Sequence, residues 1–122
     1  MPQFPLYSTA GDWVGLLVDG HLYSRQGEWV GFVDRDSRVF SVSGEYVGWL
    51  ARDFRVLRKR DVGQTVPRRQ PPARPALKIK MPTSAPLPPL MAELGYDTVD
   101  VFDEYPERLH TVDNDPDAQD ID

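Results

Sequence analysis

Gly11-Asp12-Trp13-Val14-Gly15 returns as Gly27-Glu28-Trp29-Val30-Gly31 and again as Gly44-Glu45-Tyr46-Val47-Gly48. Each copy follows an aromatic-Ser pair: Tyr7-Ser8, Tyr23-Ser24 and Phe40-Ser41. The phrase recurs every 16 to 17 residues. That period is shorter than the roughly 20 to 50 residues of helical solenoids and propeller blades, so each unit holds two short strands and their turns.

The residues after the first glycine of each copy are bulky and suit strands: Trp13 to Val18, Trp29 to Val33 and Tyr46 to Leu50. Asp19-Gly20 is a strong hairpin turn because both residues tolerate positive φ, while Asp34 to Ser37 and Arg52-Asp53 hold the equivalent places with weaker chemistry. Return strands follow at His21 to Ser24, Arg38 to Ser41 and Arg55 to Arg58. Ser24 to Gly27 and Ser41 to Gly44 lead into the next unit, with glycine where positive φ is needed and serine to bond the turn's amides. Strict alternation places Val14, Leu16, Val18, Val30, Phe32, Val47 and Trp49 on one face, and Trp13, Trp29, Tyr46 and Gly15, Gly31, Gly48 on the other. A strand glycine repeated beside an aromatic marks the close approach of another backbone or ring.

Leu6-Tyr7, Leu22-Tyr23, Val39-Phe40 and Val56-Leu57 are spaced by 16, 17 and 17 residues. Four such strands and the three between them predict an all-β antiparallel meander of about seven short strands. Both faces carry large apolar groups, so the sheet must curl on itself or be covered, and near-identical units favour a pseudo-fourfold barrel or flower. The recurring pattern through residues 6 to 58, aromatic-Ser, then Gly, then aromatic-Val-Gly, resembles the four-fold β-flower, a family of small bacterial domains. That resemblance implies a fold and brings no catalytic residues. The fourth unit, Val56 to Gly63, departs from the pattern by losing the aromatic.

Outward from the repeats the charge falls into blocks. Residues 1–51 carry 3 basic and 6 acidic groups, residues 52–80 carry 10 and 2, and residues 93–122 carry 1 and 11. A basic middle and an acidic end attract each other at low salt. With no cysteine, neither a disulfide nor a thiolate site exists. No stretch approaches 18 apolar residues and the N-terminus has no apolar leader, so a cytoplasmic protein without a membrane role is expected.

The expected divisions are a hairpin-repeat domain at 1–62, a basic Pro-rich linker at 63–89 and an acidic-aromatic tail at 90–122. Eight prolines between Val66 and Pro89 favour an extended polyproline spacer. Pro71 to Pro75 also matches the loose form of an SH3-type ligand. Pro88 to Gly95 reads as two turns of helix in an otherwise irregular tail, with proline at the start and glycine as the stop. Aromatic and aliphatic residues set among acids then suit a segment that folds onto a partner, or back onto its own domain.

An enzymatic reading finds little. His21 and His110 are the only histidines, and they cannot alone make a tetrahedral metal site. Asp113-Asn114-Asp115 begins like a calcium loop but lacks its glycine and distal glutamate. Asp12, Glu28 and Glu45 could ring a cation on a symmetry axis, yet charges that protect strand edges explain them more simply. No catalytic residue, metal ligand or cofactor is assigned. The expected function is a non-enzymatic interaction module in which Leu90, Met91, Leu94, Tyr96, Val99, Val101, Phe102 and Tyr105 contact a partner protein or a neighbouring copy. A second reading gives Arg52, Arg55, Arg58, Lys59, Arg60, Arg68 and Arg69 to nucleic acid, with repeat aromatics as stacking faces. A third is a small-ligand binder on the repeat axis.

Overall fold

The computed structural model describes residues 3–60, 66–73 and 79–111, so the far end of the Pro71 to Pro75 motif and the Asp113 to Asp115 stretch lie outside the described residues. Eight strands form one antiparallel sheet in sequence order. They are β1 (Gln3–Tyr7), β2 (Trp13–Val18), β3 (His21–Ser24), β4 (Trp29–Val33), β5 (Arg38–Ser41), β6 (Tyr46–Leu50), β7 (Val56–Lys59) and β8 (Thr98–Asp100). The meander curls into a half-barrel. Seven strands come from the repeats, and the acidic tail adds the eighth by pairing Val99 with Arg58.

One turn is built three times. The amides of Ser8, Ser24 and Ser41 donate to the carbonyls of Asp12, Glu28 and Glu45, and Gly11, Gly27 and Gly44 donate back to the three serine carbonyls. Each serine Oγ accepts from the amide four residues on, at 3.2 to 3.4 Å. The three glycines sit at φ 92°, 80° and 90°, a region that side-chain-bearing residues rarely enter. At the other end of the hairpins the turn residues Asp19, Ser37 and Phe54 adopt positive φ without being glycine. The Gly20 and Ser37 carbonyls accept from Val33 and Leu50 of the adjoining hairpin, and the Phe54 carbonyl accepts from Tyr7 of β1. This last bond joins the fourth unit to the first.

The sorting of faces departs from strict alternation, for one repeated reason. Leu6 pairs with Gly15 but Tyr7 with Trp13, so Val14 is an extra residue in its strand. The same shift recurs at Val30 and at Val47. Each is a β-bulge, and a bulge resets which face the following residues take. Val14, Val30 and Val47 therefore join Leu6, Leu22, Val39 and Val56 in an aliphatic core, whereas Leu16, Val18 and Phe32 join Tyr23, Trp29 and Phe40 in an aromatic one.

The strand glycines follow the bulged valines to the aliphatic side. A Cβ on Gly31 would meet Leu22 and Leu109 and lie 2.5 Å from the Phe40 carbonyl oxygen; on Gly15 and Gly48 it would collide with the carbonyls of Tyr23 and Leu57. The three carbonyls belong to equivalent return strands, so the repeat specifies glycine by the approach of the neighbouring backbone. Gly31→Ala should therefore lower stability by about 1 to 3 kcal/mol, the usual range for overpacking, read as a shifted urea midpoint with unchanged slope.

Each apolar face has its own cover. The described parts of the Pro-rich segment, 66–73 and 79–89, are extended and lie against the sheet: Val66, Ile79 and Met81 pack on the aromatic core, and Tyr7 Oη donates to the Pro86 carbonyl at 2.6 Å. The tail closes the aliphatic side with Val101 and Leu109 fully inside the core and Phe102 and Tyr105 against it. The tail's helix is α1 (Val101–Glu104), followed by a 3-10 turn at Pro106–Arg108. No helix forms at Pro88 to Gly95, where one was expected. Pro86, Pro88 and Pro89 hold the residues before them out of the helical region and leave too few donors for two turns. At α1 the Asp100 carboxylate accepts from the Phe102 amide at 3.0 Å and caps the helix.

Candidate interaction surface

The seam between the first and last units is polar. Arg55, the residue before β7, is only 2% exposed. Its Nη2 and Nε donate to Asp53 Oδ2 at 2.6 and 3.0 Å, Nη2 also reaches the Ala92 carbonyl at 2.8 Å, and Nη1 reaches Thr9 Oγ1 at 3.3 Å. Thr9 in turn donates from its amide and hydroxyl to Asp100 Oδ2, both at 2.6 Å. One buried guanidinium thus joins the fourth unit, the first unit and the end of the Pro-rich strap, with the tail reached through Thr9.

The strap follows the repeats in reverse order. The Arg69 amide donates to the Gly44 carbonyl of the third unit at 3.0 Å, and the Ile79 amide donates to the Gly27 carbonyl of the second at 3.3 Å. Pro88 then passes the Gly11 turn of the first unit. Around the Gly44 contact, Arg68 pairs with Glu45 at 3.0 Å, and Arg69 lies 3.5 Å from Asp34 and over the Phe40 ring. Exposed pairs of this kind contribute about 0 to 1 kcal/mol each, so the contacts position the strap more than they stabilise it.

Asp34 is different because its carboxylate is 4% exposed. Burial works to raise its pKa, but hydrogen bonds from the Arg38 backbone and side chain and from the Asp36 amide outweigh burial and hold the group below the ordinary carboxylate range. A depressed folded pKa means that its contribution is complete above the unfolded value and is lost as pH falls through the folded one. Asp34→Asn should cost about 1.5 to 3 kcal/mol near pH 7, the range for hydrogen bonds to a charged group. The gap to the parent should close below about pH 4, as urea titrations across pH would record.

Beyond the strap's packed part the chain exposes apolar groups. Leu87 and Tyr96 are 91% and 94% exposed and Leu90 is fully so. Leu90 borders a cleft of about 530 Å³ between the strap's end and strands β6 and β7, lined also by Trp49, Leu57 and Leu94 with Arg52 and Arg55. A second cleft of about 710 Å³ separates the hairpin turns at His21 and Asp34 from Arg69 and Pro72. His21 Nδ1 is buried without a hydrogen-bond partner among the described residues.

The structure divides both sets of residues named from the sequence. Of the apolar set, Leu90 and Tyr96 are exposed, Met91 and Leu94 are half-buried, Val99 and Val101 are buried, and Phe102 and Tyr105 are half-buried against the aliphatic core. Of the basic set, Arg52 is exposed and Arg55 is sealed in the seam. Arg58 is half-buried and donates to the Tyr46 and Val47 carbonyls. Lys59 pairs with Asp97 at 2.9 Å, Arg60 lies 4.0 Å from Glu104, and Arg68 and Arg69 meet Glu45 and Asp34. The Lys59 hydrogen bond, then that of Thr98, lowers the Asp97 pKa. Sequence reasoning missed Leu87, although it stands three residues before Leu90 and seven before Leu94. Among the described residues no cluster of three or more His, Asp or Glu could hold a metal, and no helix is long and apolar enough to cross a membrane.

A family model described as 4-fold beta flower protein matches residues 4–94. No curated protein and no solved structure matches the chain.

Proposed function

Since the chain belongs to the 4-fold beta flower protein family, with the strap inside the matched region, we propose that it is a non-enzymatic module presenting residues 87–96 to a partner protein. The observation that carries this reading is the exposure of Leu87, Leu90 and Tyr96 within ten residues of chain. Large apolar side chains so close together on a small protein mark a contact surface, and aromatic residues are enriched at the centres of such surfaces. Leu94, Trp49 and Leu57 in the adjoining cleft offer a pocket into which a partner's apolar side chain can insert. The partner in this reading is a protein with an exposed apolar anchor. The engagement of Arg55, Arg58, Lys59, Arg60, Arg68 and Arg69 within the chain favours it over a nucleic-acid role.

The test is capture from nuclease-treated lysate by the full chain and by the triple variant L87S/L90S/Y96S. All three side chains are exposed, so the variant should melt within a few degrees of the parent. The reading expects a protein captured by the parent and lost by the variant. Equal capture by both, or capture that disappears with nuclease, would overturn it.

A further inference from the structure

The three Ser-x-x-Gly-acid turns have the same geometry but unequal occupancy. At Gly44 a chain segment is seated: the carbonyl accepts the Arg69 amide, the following Glu45 pairs with Arg68, and a Cβ on the glycine would strike the Arg69 carbonyl. At Gly27 the carbonyl accepts the Ile79 amide, and a Cβ would lie 2.5 Å from the Ile79 carbonyl. Both glycines are buried beneath the strap. The contacts Arg69, Ile79 and Pro88 fall ten and nine residues apart, so the strap keeps step with the sheet's own repeat.

At Gly11 the step is taken but the bond is not made. The residue there is Pro88, which has no N–H, and its nearest atom stands 3.7 Å from where a Cβ would be, an ordinary contact. Gly11 has the same positive φ, 92°, yet it is only half-buried, and no backbone amide of the described strap reaches its carbonyl. Asp12, the counterpart of Glu45, is exposed and has no ion pair among the described residues. Its charge also acts on Asp103, whose pKa is raised first by burial and then by Asp100, Asp12 and Glu104.

We propose that the Gly11-Asp12 turn is a copy of the subsite that holds Arg68-Arg69 at Gly44 in which the carbonyl and the carboxylate are unclaimed, and that, with Pro88 moved aside, it binds an extended, arginine-containing, proline-flanked segment of a partner protein. The Gly11 carbonyl accepts a backbone amide of that segment, and the Asp12 carboxylate receives a guanidinium, as Glu45 receives that of Arg68. Only an extended chain fits, because the glycine admits close backbone approach and the flanking prolines keep the segment from folding on itself. Neither the amide bond nor the ion pair depends on the apolar side chains at residues 87–96.

The probe is a fluorescent synthetic peptide with the sequence of residues 66–73, titrated into the full chain and followed by polarisation. Saturable binding is expected, weakened about fivefold or more by Asp12→Lys and by added salt, and unchanged in L87S/L90S/Y96S. Asp12 is exposed, so the variant should keep the parent's melting temperature and circular dichroism. Two results would overturn the proposal: no saturable binding at millimolar peptide, or binding that ignores Asp12→Lys and responds only to Glu45→Lys, which would place the peptide in the strap's own site.

Discussion

Truncation after Gly95 is expected to abolish cooperative melting. It removes Val99, Val101 and Leu109, all buried, together with the strand that covers the edge of β7. Burial of side chains of this size is worth about 1.5 to 3 kcal/mol each, so the three together contribute roughly 5 kcal/mol or more, comparable with the whole stability of a small domain. The cut also strips Asp100 from Thr9. These residues lie beyond the matched region, which ends at residue 94. Calorimetry of the shortened chain decides the matter: a broad transition, or none, is the expected trace, and a melting temperature within a few degrees of the full chain's would show that the tail is only an appendage.

The second large effect belongs to Arg55. Arg55→Ala should destabilise by about 3 to 5 kcal/mol, because it leaves the half-hidden Asp53 carboxylate without its cation and the Ala92 carbonyl without a donor. Asp53 Oδ1 already has no hydrogen-bond partner among the described residues, so nothing in place can take over. Replacing both members, Arg55→Met with Asp53→Ala, should recover a large part of the loss, since an apolar pair avoids burying an unpaired charge. Urea titration of the two variants gives the comparison. A double variant no better than the single one would mean that the seam depends on the guanidinium's links to Thr9 and Ala92 rather than on the ion pair.

Much of this architecture can be read from the sequence because the repeat states it three times. The aromatic-Ser pairs, the turn glycines and the strand glycines each recur, and each has a local cause: a hydroxyl for the turn's amides, a positive φ, or a neighbouring carbonyl that leaves no room for Cβ. The faces are less legible. Nothing in Trp13-Val14-Gly15 announces that Val14 is an extra residue, since a bulge is set by how two strands register. The covers could be foreseen as a need, two apolar faces being too many for an open sheet, but not as particular residues. A proline-rich stretch reads as a spacer whether or not its amides find carbonyls, and Arg69 and Ile79 do so only because the turns recur at a spacing that the strap can match.

The apolar candidates illustrate the same limit. Leu90 and Val101 are aliphatic residues of one acidic-aromatic segment, yet one is fully exposed and the other fully buried. What separates them is Asp100, which caps α1 and ties to Thr9, and this fixes Val101 over the aliphatic core. Asp100 as the capping residue, followed by Asp103 and Glu104 in the first turn, is a helix-start signal that the proline-rich stretch at Pro88 does not have.

Two segments outside the repeats, the strap and the tail, are fixed covers on opposite faces of one curled sheet. Amide hydrogen exchange on the intact chain tests this most directly. The amides of Arg69 and Ile79 and those of β8 should be protected alongside the return strands, as hydrogen-bonded parts of the same cooperative unit. Free exchange at 66–73 and 98–100, with residues 3–59 still protected, would contradict it.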